Sequence, residues 1–216
     1  MALTYPLSLS DFLADLPVSH VTFRLDKAET VSRTGGGEII KHKLGARLWT
    51  GEIVFDQDYH RELAAIEAKI ALLEGAGASF MIHDTRHTGP RADPTGTVLG
   101  AAAVKLAAVT VEGAELSLKG LPAAYTLSAG DYLGFEYAAL PIRYALHRIV
   151  VGATADAGGT TPLMQVVPTL RPGFAVDATV TLVRPTCKAR LLEADYGSGR
   201  SVISGRGQLS WTQTLR

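Results

Sequence analysis

Between Tyr59 and Leu73 the apolar residues Tyr59, Leu63, Ile66, Ile70 and Leu73 recur at intervals of four, three, four and three, the period of one helical face. His60, Glu62, Glu67, Lys69 and Glu74 fall off that stripe. This is the clearest helical pattern in the chain, and most other apolar runs alternate in the manner of strands. Asp56 or Asp58 is placed to cap its start, and Gly75 and Gly77 to end it. The pattern predicts a helix of roughly 16 residues, about 24 Å long at the usual rise per residue.

On either side of that helix the period is two. In VSHVTFRL, residues 18–25, Val21, Phe23 and Leu25 alternate with Thr22 and Arg24. Trp49, Gly51, Ile53 and Phe55 share one face of a second strand, with Arg47, Thr50 and Glu52 on or toward the other. The polar link between them carries Gly35, Gly36 and Gly37 in a row, which fits neither the glycine spacing nor the following helix that a phosphate-binding loop needs. It reads as an open surface excursion. Residues 78–84, ASFMIHD, resume as a strand.

The stretch TRHTGPRADPTGT, residues 85–97, holds two prolines and two glycines and marks a boundary. Beyond it strands are predicted at 103–112, 114–119, 132–137, 144–151, 163–167 and 178–183, with turns at 112–113, 128–131 and 156–159. Short strands at that spacing, with no helix between them, describe a small barrel or sandwich. Pro185 breaks the pattern, and strands at 187–192 and 207–215 flank the polar, glycine-rich EADYGSGRSVISGRG, which reads as a mobile hairpin arm.

The 216 residues suffice for one large or two small domains. Lys plus Arg number 21 and Asp plus Glu 21, so no net field attracts a polyanion. Arg143, His147 and Arg148 are too few to make a nucleic-acid footprint. The single cysteine, Cys187, leaves no disulfide within the chain and no multi-cysteine zinc site, and reads as a small buried hydrophobe. Asp11 and Asp15 interrupt the N-terminal apolar stretch, so no cleaved leader is expected and synthesis in a cytoplasm is. No window approaches 18 uninterrupted apolar residues, which argues against a membrane span.

Chemistry is sparse. His83, Asp84 and His87 carry metal-ligand atoms, but two histidines four apart converge on a helix and this stretch reads as strand into loop, so Asp84 is better paired with Arg86. The serine-rich GSGRSVISG, residues 197–205, lacks the helix that a nucleophile elbow needs behind Ser201. Glu112 and Glu115 flank a tight turn and read as solvated hairpin residues. No catalytic residue, bound cofactor or metal is expected, and the chain reads as a protein that is not an enzyme.

Leu48-Trp49-Thr50-Gly51-Glu52-Ile53, the Leu63 to Leu73 helix, Ser79-Phe80 with Asp84, and the closing Gln208-Leu209-Ser210-Trp211-Thr212-Gln213-Thr214-Leu215 together resemble the ring-forming domain of distal tail (Dit-like) and minor tail-tip proteins of long-tailed, siphovirus-type phages, including prophages and gene-transfer-agent-like particles. Ala129-Gly130-Asp131-Tyr132-Leu133 and Pro168-x-Leu170-Arg171-Pro172-Gly173 are similar to a cadence in the inserted barrel of some of them. The resemblance spans most of the chain through individually loose motifs.

It implies a mainly β (α+β) fold. A ring-forming β-sandwich or split-barrel domain with one amphipathic helix is built from 1–90 and 185–216, and a small OB-like β-barrel is inserted at 91–184. The implied role is structural: a homo-oligomer, a hexameric ring, joins the tail tube protein to the hub or baseplate, with the tape-measure protein as a further neighbour. The location is the virion tail tip, assembled in the host cytoplasm, with no membrane and no specific nucleic acid as partner. Gly35, Gly36, Gly37, Gly197 and Gly199 are then expected in inter-subunit loops, and Trp49, Phe55, Leu63, Ile66, Ile70, Phe80 and Trp211 in the core. The alternative is a carbohydrate-binding module contacting the host surface, with Tyr125, Tyr132, Phe135, Tyr137 and Tyr144 of the barrel offering the aromatics, although aromatics at strand spacing are more often core.

Overall fold

The computed structural model describes residues 3–137 and 140–215, and these are mainly β with one α-helix among them. In chain order the elements are β1 (Val18–Leu25), β2 (Glu29–Arg33), β3 (Ile39–Lys43), β4 (Trp49–Phe55), β5 (Asp58–Tyr59), α1 (His60–Leu73), β6 (Phe80–Ile82), β7 (Lys105–Val109), β8 (Glu115–Lys119), β9 (Thr126–Leu127), β10 (Tyr132–Tyr137), β11 (Arg143–Ile149), β12 (Ala153–Thr154), β13 (Met164–Val167), β14 (Val180–Thr181), β15 (Cys187–Asp195), β16 (Gly199–Arg200), β17 (Ile203–Ser204) and β18 (Gly207–Gln213). They form two compact units. Met1–Asp15, Gly77–Ala189 and Thr214–Arg216 make the first, and Leu16–Ala76 with Arg190–Gln213 the second.

The second unit is built on β4, which pairs antiparallel with β1 on one side and β18 on the other. Its residues alternate strictly between buried and half-buried, and β18 likewise buries every second residue, with Gln208 exposed between Gly207 and Leu209. The register aligns Val21, Ile53 and Leu209 in one row and Phe23, Gly51 and Trp211 in the next. Gly51 is required there: a Cβ would collide with the Thr22 carbonyl and stand 3.1 Å from the Trp211 ring. The Phe23 ring packs on Trp211 at 4.8 Å and on Trp49 at 5.4 Å between centroids.

Helix α1 buries Leu63, Ile66, Ile70 and Leu73. Its start differs from the sequence expectation. Neither Asp56 nor Asp58 caps it; Tyr59 occupies the cap position without a side-chain hydrogen bond and is exposed rather than part of the buried stripe. Asp58 belongs instead to β5, opposite Ser204, and the His60 N–H donates to the Val202 carbonyl at 2.8 Å. A backbone acceptor from the 199–204 hairpin thus serves one of the orphan N–H groups of the first turn.

The link read as an open excursion is also corrected: β2 and β3 form a regular antiparallel hairpin from Glu29↔Lys43 to Arg33↔Ile39. Thr34 and Gly37 close its turn, with the Gly37 N–H on the Thr34 carbonyl at 2.9 Å and Gly37 at φ +86°. Alternation failed as a signal because neither face of this hairpin is buried.

In the first unit six strands run in the order β14, β10, β11, β13, β8, β7. The two edges meet through a Lys105↔Thr179 bridge, a Leu106 N–H to Ala178 carbonyl bond of 3.0 Å and a Val180 N–H to Val104 carbonyl bond of 2.9 Å, so the sheet is nearly closed and barrel-like. Leu106, Leu116, Leu118, Leu133, Phe135 and Met164 fill its interior. Elsewhere in this unit β6 pairs with Cys187, Lys188 and Ala189 of β15, and Phe12 meets Phe80 edge-on at 5.2 Å.

The sequence division at 90/91 and 184/185 falls inside this unit. Residues on both sides of it are hydrogen-bonded: Tyr132 Oη donates to Asp84 Oδ2 at 3.3 Å, and the Arg184 N–H to the Thr88 carbonyl at 2.9 Å.

Candidate interaction surface

The β2–β3 hairpin is exposed along nearly its whole length. All of β3 and all of β2 except Glu29 are exposed, and Val31, Ile39, Ile40 and Leu44 show 45 to 72 % of their surface. Lys41 bonds Glu29 across the strands at 2.9 Å in an exposed pair. Gly35 and Gly37 at the tip have open space around them, and Gly36 only the Thr34 hydroxyl nearby.

The arm around Gly197 and Gly199 is tied down. β17 pairs with both β16 and β5, and a Cβ at Gly199 would collide with the Ile203 carbonyl. Tyr196 Oη donates to Glu74 Oε2 at 2.9 Å, His60 Nδ1 and Ser204 Oγ lie 2.9 Å apart, and Arg206 reaches Asp56 at 3.0 Å. Beside the arm Tyr59, Val202 and Ile203 are exposed.

The residues with chemical potential are placed as follows. Asp84 is buried and gripped by Arg86, Nε on Oδ1 at 2.8 Å and Nη2 on Oδ2 at 2.7 Å. Burial alone would raise its carboxyl, but the hydrogen bonds and charge of Arg86 outweigh this and hold it below the usual carboxylate range. The Tyr132 phenol, buried beside that carboxylate, is pushed up to about 12. Burial and the Arg184 charge lower His83. No three His, Cys, Asp or Glu side chains are grouped to hold a metal among the described residues. Cys187 is fully buried and its thiol is pushed up by desolvation, the reverse of what a nucleophile needs. Ser201 sits in a turn at φ +41° that leads into β17 rather than a helix. Glu112 lies on the turn before β8, and Glu115 begins that strand.

Of the five barrel aromatics, Tyr125, Tyr132, Phe135 and Tyr137 are buried and Tyr144 is half-buried. The three basic residues make no common patch: Arg143 lies over Tyr137, Arg148 over Tyr132, and His147 is buried with its ring stacked on Phe135. Desolvation lowers His147 to about 4, while Nδ1 bonds the Pro168 carbonyl at 2.7 Å.

One concavity escapes sequence reading. Gly134, Phe135, Glu136, Tyr144, Thr179, Thr181 and Thr186 line a cavity of about 410 Å³ on the barrel. Its sequence signal is slight: a Thr-x-Thr spacing in β14 and its approach, and an isolated Glu in an otherwise buried strand.

No protein-family model matches the chain, and no curated protein matches it.

Proposed function

We propose that this chain is a structural component of a phage tail tip, a distal tail protein that is not an enzyme and whose copies close into a ring of six between the tail tube protein and the hub. The observation that carries the reading is the β2–β3 hairpin, whose exposed Val31, Ile39, Ile40 and Leu44 find no cover in their own unit. A lone two-stranded hairpin is marginal in water, and a neighbouring copy supplies the missing apolar surface and strand edge. Most soluble oligomers are symmetric assemblies of identical chains, which makes a second copy the first candidate for such cover. In this reading the second unit is the ring-forming split barrel, the nearly closed barrel of the first unit is OB-like, and the particle assembles in the host cytoplasm.

Light scattering across a concentration series tests it. The expected result is a species approaching six times the 22.9 kDa chain mass. A mass fixed at one chain across the series, with no rings in electron micrographs of the protein or of particles, overturns it.

A further inference from the structure

The concavity on the barrel has the composition of a binding site for a neutral sugar, and this inference stands independently of the ring. The register of β10 with β11 and β14 puts Glu136 opposite Tyr144, and Gly134 opposite Thr181. The period of two adds Thr179 to the same face, next to Glu136. Thr186 closes one side of the roughly 410 Å³ space, a volume inside the range of about 300 to 1,000 Å³ common for small-ligand sites. The floor is buried Gly134, where a Cβ would stand 3.1 Å from Pro185 and 3.2 Å from the Ala145 carbonyl.

Four of the polar groups facing this space are unspent. The hydroxyls of Thr179, Thr181 and Thr186 and the Glu136 carboxylate make no side-chain hydrogen bond or ion pair with another described residue. Desolvation, and then the Glu136 charge, raise the Tyr144 phenol, so it stays protonated. No lysine or arginine lines the cavity. A phosphate or carboxylate would meet Glu136 with no compensating cation. An ammonium ligand would use the carboxylate but leave three hydroxyl donors without acceptors.

A sugar ring matches every member of the set. Its vicinal hydroxyls donate to the two carboxylate oxygens, its remaining oxygens exchange hydrogen bonds with threonines that both donate and accept, and its C–H face lies against the half-buried Tyr144 ring. We propose that this face of the barrel binds a neutral saccharide unit through Glu136, Tyr144, Thr179, Thr181 and Thr186.

The test is a glycan array carrying neutral hexose and N-acetylhexosamine oligosaccharides beside sialylated, sulfated and amino-sugar ones, probed with the full chain, Thr181→Val and Glu136→Gln. Wild type is expected on neutral glycans. Thr181→Val should weaken binding about fivefold and Glu136→Gln about tenfold or more, the worth of a neutral and of a charged hydrogen bond. Melting curves establish that both variants fold. NMR of the unaltered chain with methyl-labelled threonine gives a second readout: the glycan bound on the array should move Thr179, Thr181 and Thr186 and leave Thr110 in place. The site is overturned by absence of neutral-glycan binding, by preference for charged glycans, or by unchanged affinity in both variants. The chain's oligomeric mass reports on the ring separately.

Discussion

Gly51 and the three rings around it show how one position sets a sheet's geometry. Phe23 and Trp211 flank it on neighbouring strands, and Trp49, itself almost fully buried, completes the cluster. Trp49→Ala is expected to cost about 3–5 kcal/mol in urea unfolding, the usual penalty for emptying a large aromatic site. A loss well under 1 kcal/mol would show that the ring does not support the core.

His147 predicts a pH dependence. Its folded pKa of about 4 lies below the unfolded value of about 6.5, so the unfolded chain binds the proton more tightly. Stability is therefore complete above about pH 6.5 and falls as pH drops toward 4, by about 3 kcal/mol in all. His83, also lowered, acts in the same direction. Asp84 contributes stability that is present above the ordinary carboxylate range and lost only as pH falls through its lower folded value. Urea unfolding at pH 7.5 and 4.5 should show the slope in wild type and much less of it in His147→Leu. Equal slopes would remove His147 as its source.

At the scale of elements, the hairpin and the helix behave differently. The stripe of α1 is legible in sequence because the apolar period and the buried face coincide. The hairpin was not legible: Ile39 and Ile40 are adjacent, both are exposed, and no one-sided burial imposes alternation. Its internal ties are weak, since an exposed pair such as Lys41–Glu29 is worth about 0–1 kcal/mol. Replacing Ile39 and Ile40 with Ser should then change the stability of the monomer by no more than about 0.5 kcal/mol, the usual range for surface positions. The same change should shift the light-scattering mass toward the single chain. A variant that assembles like wild type would show that the hairpin is not what joins the copies.

For the whole molecule, acidic and basic residues balance at 21 each, and a chain with net charge near zero has no long-range self-repulsion to oppose association. If copies bind one another in the folded state, mass action makes the melting temperature rise with protein concentration. A melting temperature independent of concentration would argue against assembly of the purified chain.

The sequence by itself determined the helix and the longer strands that bury one face, because 2.0 and 3.6 residue periods are local properties of the chain. It also marked Gly51 as a glycine inside a strand without saying why. Tertiary structure decided what those segments face. It buried four of the five barrel aromatics, joined Asp84 to Tyr132 across 48 residues, left the 29–43 hairpin outside any core, and moved the start of α1 from an aspartate cap to a backbone acceptor. It also brought Glu136, Tyr144, Thr179 and Thr181 onto one surface. Such groupings depend on the register between strands far apart in the chain. A slip of one residue would turn those side chains to the opposite face, and no local pattern in the sequence specifies that register.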